Sequence, residues 1–228
     1  MVTAIFPAAG KSRRMQSIKN KNFMKLDGVP ILIRTLKKFS QSEKVDELII
    51  AVAKSEFEIV VEMLSRVEDL KPFQVVVGGS ERQYSIANAL KVIDKDCKII
   101  LVHDAARPLI SVETIDKVID AARNFGAAIA AVPEKNTIKI VDEENFVKDT
   151  PDRSKLFSIQ TPQGFKKEIL LQAYEQAAKD DFLGTDDSSL VEKLGVKVKI
   201  VESDYQNIKI TTPEDILIAE SFLKAGEI

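Results

Sequence analysis

Val2-Thr3-Ala4-Ile5-Phe6 runs directly into Pro7-Ala8-Ala9-Gly10-Lys11-Ser12-Arg13-Arg14-Met15. The first five residues read as a buried β-strand, and the small residues after them let backbone N–H groups approach a ligand closely. Six cationic side chains and no carboxylate fall between Met1 and Leu26, although the whole chain carries a formal net charge of −2. Lysines and arginines beyond a strand end suit a polyphosphate. A solvated basic loop is the other reading of that charge. Gly10-Lys11-Ser12 matches the end of the P-loop pattern, but the first glycine of G-x-x-x-x-G-K-[ST] would fall on Ile5, inside the strand. The P-loop reading fails.

Outward from this strand, short apolar runs alternate with amphipathic helical runs, which predicts an α/β fold with a mostly parallel sheet. Pro30 opens a helix whose apolar face is Leu32, Leu36 and Phe39. Leu48 to Val52 is a second strand, followed by a helix through Phe57, Val60, Val61 and Leu64. Phe73 to Val77 and Ile99 to Val102 are the third and fourth strands. Ile115, Val118, Ile119 and Ala122 mark another helix, and Ala127 to Val132 another strand. From Glu134 to Phe157 helical periodicity stops. Thr137-Ile138-Lys139-Ile140-Val141 faces Phe146-Val147 across an acidic turn, as a protruding β-hairpin arm or as an edge hairpin of the main sheet. Structure resumes at Ser158-Ile159, with a helix near Ile169, one ending at Gly195, and a strand over Val196 to Val201. Thr212, Pro213 and Asp215 announce the last helix. This is one domain, residues 1–228, with an arm at about 134–157.

At 228 residues the chain suffices for one well-cored domain. A pI of about 5.7 argues against a general nucleic-acid binder. No apolar run approaches a membrane span, and Met1 leads straight into the first strand, leaving no room for a targeting peptide. A cytoplasmic protein is expected. Cys97 and His103 are the single cysteine and histidine, which excludes an internal disulfide and cysteine- or histidine-rich metal sites.

Ligands of open α/β sheets bind beyond the carboxyl ends of the strands, and four distinctive segments belong there. The basic loop is the first. Gly78-Gly79-Ser80-Glu81-Arg82-Gln83-Tyr84-Ser85 reads either as a turn with a Ser80/Gln83 capping box or as a base-reading loop with the Ser85 hydroxyl behind it. In His103-Asp104-Ala105-Ala106-Arg107-Pro108, Asp104 suits Mg²⁺ beside phosphates, or else caps the loop and pairs with Arg107; His103 reads as structural. Asn207-Ile208-Lys209-Ile210-Thr211 places Lys209 on a short strand, as a phosphate anchor or a surface lysine.

These segments, with Thr161-Pro162-Gln163 and Thr185-Asp186-Asp187, occur in an order that resembles the 2-C-methyl-D-erythritol 4-phosphate cytidylyltransferases along nearly the whole chain. The resemblance implies a Rossmann-like nucleotidyltransferase domain whose arm embraces the partner in a homodimer. It implies CTP and methylerythritol phosphate as substrates and Mg²⁺ or another divalent cation as cofactor. Arg14 and Lys21 would stabilise the transition state, and Ala8, Ala9, Gly10, Gly79 and Ser85 would contact the nucleotide. Asp104 would be the metal carboxylate, and Thr137, Arg153, Lys209, Arg107 and Thr185 would position the second substrate. The arm reads Pro151-Asp152-Arg153 where some members of the family carry Val-Asp-Arg, and the later motif reads Thr-Asp-Asp-Ser-Ser where Thr-Asp-Glu-Ala-Ser is common. Ribitol-5-phosphate cytidylyltransferases share much of this set but tend toward Ala-Gly-Gly and Ala-Val-Arg-Pro. A non-catalytic nucleotide binder on the same scaffold would be expected to lose Lys21, Asp104 or Lys209, and all three are present.

Overall fold

The computed structural model describes residues 1–10 and 23–226. In chain order, β1 (Val2–Pro7) precedes a small hairpin of β2 (Lys25–Leu26) and β3 (Val29–Pro30), then α1 (Ile31–Gln41), β4 (Glu47–Val52), α2 (Phe57–Ser65) and β5 (Phe73–Val77). Next come α3 (Arg82–Leu90), β6 (Ile99–Val102), α4 (Val112–Phe125) and β7 (Ala127–Pro133). The arm strands β8 (Ile140–Val141) and β9 (Val147–Asp149) precede β10 (Phe157–Lys166), α5 (Lys167–Lys179), α6 (Asp187–Lys193), β11 (Lys199–Glu202) and α7 (Pro213–Lys224).

Seven strands form one sheet in the order β11-β7-β10-β6-β1-β4-β5. Among these described strands β10 alone runs antiparallel to its neighbours. The near-continuous apolar runs follow from burial on both faces. Because side chains alternate along a strand, Val2, Ala4 and Phe6 of β1 pack with Leu32, Leu36 and Phe39 of α1 and with Ile115, Val118 and Ile119 of α4. Ile5 faces the other way, into a second core with Ile86 of α3, Leu170 of α5 and Leu190 of α6. A third cluster, including Leu26, Ile31, Leu109, Ile210 and Ala219, fastens α7 beside the carboxyl end of the sheet. Asp215 accepts from the N–H groups of Thr211 and Thr212, which fixes where that helix starts.

Of the two readings of the 134–157 hairpin the edge-hairpin alternative does not hold, and two other sequence expectations change. The hairpin is an arm: β8 and β9 pair with each other in a two-stranded sheet separate from the main one. The Ser80/Gln83 capping box is absent, because α3 begins after Glu81 and the Gln83 side chain is spent instead on Phe182 O and Gly184 N. Lys209 lies outside regular strand, although Ile210 N–H donates to Ala106 O at 2.9 Å.

α4 lies close on the sheet at Gly164 of β10: a Cβ there would sit 2.9 Å from both Leu101 Cδ2 of β6 and Val118 Cγ1 of α4. Gly164→Ala should therefore destabilise the fold by about 1–3 kcal/mol through overpacking, read as a lower midpoint in urea denaturation at unchanged slope.

Candidate active site

The carboxyl ends of β1, β5 and β6 bring Ala8–Gly10, the described start of the first segment, together with the second and third, and the loop after β11 adds the fourth. Gly78 is the junction of the first two. A Cβ there would come within 2.6 Å of Ala9 Cβ and 2.8 Å of Ser85 Oγ, so only a glycine lets these loops meet. Ser85 Oγ accepts the Gly79 N–H at 3.0 Å and donates to Glu81 O at 3.0 Å. The hydroxyl thus shapes the glycine loop from behind. Ala8 is buried, Ala9 half-buried and Gly10 exposed, so the loop rises to the surface as it leaves β1. Arg14 and Lys21 fall outside the described residues.

Asp104 follows β6 and is almost fully buried. Its Oδ2 lies 2.9 Å from Lys209 Nζ and 3.3 Å from Arg107 Nε, while its Oδ1 is 3.5 Å from Arg82 Nε. Burial alone would raise its pKa, but Lys209, Arg82 and Arg107 outweigh that and hold it well below the usual carboxylate range. Both readings of the Asp104–Arg107 pair thus meet in one place, since the ion pair itself sits among cations suited to phosphate. Arg107 also donates to Asn207 O at 2.7 Å, tying the loop after β6 to the Lys209 segment.

The backbone under Asp104 is held by His103 and Thr161. The ring Nε2 of His103 lies 3.2 Å from Arg107 O, and its Nδ1 lies 3.1 Å from Thr161 Oγ1. A carbonyl accepts only, so Nε2 carries the proton, and Thr161 donates to Nδ1 while accepting the Asp104 N–H at 3.0 Å. The β10–β7 register shifts between Ile159 and Gln163. A bulge of this kind re-aims side chains next to a site, and Gln160 and Thr161 use it to bond Asn207 Nδ2 through Gln160 Oε1 and Thr161 O.

Arg82, Thr161, Asn207 and Asp187 stand in motifs quoted from the sequence but were given no role there; the structure makes them members of the site. Motif order was the usable signal, while their roles needed the register shift in β10 and the packing of α6. Thr185 is exposed and lines a small cleft with Arg82 and Asp187. Thr137 and Arg153 lie on the exposed arm, where Arg153 Nη1 donates to Lys135 O at 2.8 Å, so this chain does not bring them onto its own Asp104 cluster by direct contact. Among the described residues no group of three or more acidic, histidine or cysteine side chains forms a metal cluster. Asp104 nevertheless suits a divalent cation as a single ionised carboxylate, because among the described residues Oδ1 has only a long contact with Arg82, and phosphate oxygens and water complete such a shell.

Residues 2–225 match the family model of 2-C-methyl-D-erythritol 4-phosphate cytidylyltransferase (IspD). The chain belongs to that family. It is 49% identical over 98% of its length to the enzyme of that name from Caldanaerobacter subterraneus, covering 99% of the relative, and 46% identical to that from Bacillus cereus, covering 98% of each. The solved 4-diphosphocytidyl-2C-methyl-D-erythritol synthase of Anaerococcus prevotii superposes with a TM-score of 0.87 at 35% identity, over 98% of each chain. As a member of the cytidylyltransferase family the chain is an enzyme of the nucleotidyltransferase class, and the mixed α/β sheet is the fold of that class.

In this cytidylyltransferase His103 is shut off from water, and burial drives its pKa from 6.5 down to about 3. The folded protein then binds fewer protons than the unfolded chain between those values, so the neutral-histidine stability present above pH 6.5 is lost as the pH falls. The limiting slope from this group is about 1.4 kcal/mol per pH unit. His103→Gln should remove that component: comparing urea unfolding at pH 7 and pH 5, the variant should lose markedly less stability on acidification than the wild type.

Proposed function

We propose that the enzyme transfers CMP from CTP to 2-C-methyl-D-erythritol 4-phosphate, giving 4-diphosphocytidyl-2-C-methyl-D-erythritol and pyrophosphate for isoprenoid precursor synthesis. The observation that carries the reading is the buried Asp104 carboxylate with Lys209, Arg107 and Arg82 around it, at the strand ends of a chain matching this family over residues 2–225. An oxygen of the acceptor phosphate attacks the α-phosphorus of CTP. A new P–O bond forms as the bond to the pyrophosphate oxygen breaks. The nucleophile is already anionic near neutral pH, so no proton has to be removed, and a buried neutral His103 is compatible with that chemistry.

The work left to the protein is to bring two anions together and align them. Ala8, Ala9, Gly10, Gly79 and Ser85 surround the nucleotide, and Arg14 and Lys21 neutralise its triphosphate. Lys209 and Arg107 hold the acceptor phosphate beside Asp104, with Thr185 at the edge of the site. Mg²⁺ held by Asp104 supplies further charge neutralisation on the phosphates when bound. The small anionic substrates and the absence, among the described residues, of any helix long and apolar enough to cross a membrane fit a cytoplasmic enzyme.

We assign Thr137 and Arg153 to the site of a partner subunit in a homodimer. The arm exposes Phe146 at 66% and Val147 at 58% on a two-stranded sheet, and such a hairpin is marginal in water without a surface to lie on. Its root is braced on the body by Tyr205, which donates to Pro133 O at 2.7 Å, and by Lys135 over the Tyr205 ring. A symmetric partner provides the missing surface.

A pyrophosphate-release assay crossing CTP, ATP, GTP and UTP with methylerythritol phosphate and ribitol 5-phosphate should give highest turnover with CTP and methylerythritol phosphate. A preference for ribitol 5-phosphate or another triphosphate would overturn the assignment. Lys209→Ala, Arg14→Ala and Lys21→Ala should each lower turnover by roughly 10²–10³, the scale for losing one preorganised charge-stabilising donor.

Sharing of the site between chains has its own test. Arg153→Ala and Lys209→Ala chains, mixed after unfolding and refolding, should recover up to about one quarter of wild-type sites, because each heterodimer assembles one intact site by two-fold symmetry. No recovery after verified exchange would show that each chain builds its own site.

A further inference from the structure

Arg82 stands between two carboxylates and chooses the farther from the proposed chemistry. Its Nη2 lies 2.7 Å from Asp187 Oδ2, whereas its Nε stays 3.5 Å from Asp104 Oδ1. Asp187 opens α6, is 1% exposed, and receives the Tyr174 hydroxyl on its other oxygen at 2.5 Å. Two carboxylates thus face three cations, counting Arg107 and Lys209, and the two guanidinium groups repel each other. Asp104 Oδ2 already has Lys209 and Arg107, so Oδ1 is the oxygen whose availability depends on where Arg82 points.

The separation is built into the chain. Gln83, next to Arg82, latches the first turn of α3 onto the 182–184 segment through Phe182 O at 3.0 Å and Gly184 N at 2.9 Å. At Gly184 a Cβ would meet Ser189 Oγ at 2.5 Å and Leu190 Cδ2 at 2.6 Å, so that segment lies hard against α6 and delivers Asp187 to Arg82. Without the Asp187 charge, the Arg82 fork has Asp104 as its remaining carboxylate. A guanidinium closes on a carboxylate with two parallel bonds, which would occupy Oδ1.

We infer that Asp187, steadied by Tyr174, is an anionic tether that holds Arg82 off Asp104 and keeps Asp104 Oδ1 open to a divalent cation. Asp187 is a positioning residue that acts through Arg82. The inference rests on the reading of Asp104 as the metal carboxylate.

The test is Mn²⁺ binding followed by electron paramagnetic resonance, with CTP present and no acceptor, on purified dimer or monomer as isolated. Asp187→Asn should weaken Mn²⁺ binding about tenfold, the scale on which residues behind a metal ligand tune affinity. Adding Arg82→Gln to Asp187→Asn should restore binding to the wild-type level or tighter, since the group that closes on Asp104 is gone. A residue of merely structural importance would give no such rescue. The double variant also removes both buried charges together, which spares the fold the lone charge of the single variant; if Asp187→Asn fails to fold, the double variant alone decides. Binding by Asp187→Asn equal to wild type, or a double variant weaker than wild type, overturns the tether. Asp104→Asn is the separate control: if it binds Mn²⁺ like the wild type, the metal reading of Asp104 is wrong and the inference falls with it.

Discussion

A carboxylate removed from water beyond the end of β6 has to be compensated by cations, and around Asp104 those cations come from three separate segments: Arg82 from α3, Arg107 from its own loop and Lys209 from the loop before α7. An uncompensated buried charge costs several kcal/mol, so each segment is constrained to end where its cation reaches this point. The surrounding architecture serves that constraint. α7 packs through Ala219 in the cluster with Ile210 beside the site, and Asn207 is pinned by Gln160 and Thr161 from β10.

Electrostatics and hydrogen-bond geometry divide the labour here. The ion pairs set charge, and a neutral relay sets position. Asp104 N–H to Thr161, Thr161 to His103 and His103 to Arg107 O form a chain in which each donor has one acceptor. It works only with an uncharged imidazole, and burial against Phe39 and Phe6 keeps His103 in that form at neutral pH. The lone histidine in the site is therefore a structural clamp, which matches a nucleophile that arrives already ionised.

Reading the fold from the sequence worked where burial is local and periodic. The strands through Ile5, Ile50, Val75 and Leu101 and the helices through Leu36 and Ile119 carry their own patterns, and the structure has them at those places. The hairpin was legible because β-alternation replaces helical periodicity between Glu134 and Phe157, whereas its separation from the main sheet was not, since that depends on which strands pair. Misreadings came where one side chain has competing uses. Gln83 had the spacing for a capping box, yet a distant loop at Phe182 and Gly184 bids for both ends of its amide. Lys209 sat in a β-like run, yet among the described residues it lies outside regular strand.

The sequence by itself determined the class of fold, the charge excess after the first strand, and the segments that carry Asp104, Arg107 and Lys209, because strand periodicity, charge excess and motif composition are properties of neighbouring residues. Only the tertiary structure decided that Arg82 joins them, that Asp187 and Tyr174 stand behind it, and that Thr161 and Asn207 fix the backbone beneath. Those contacts link residues as far apart as Arg82 and Asp187. Nothing local encodes such a pairing: it exists because the parallel sheet brings strand ends from across the chain to one edge, where ionic groups must find each other or remain unpaired.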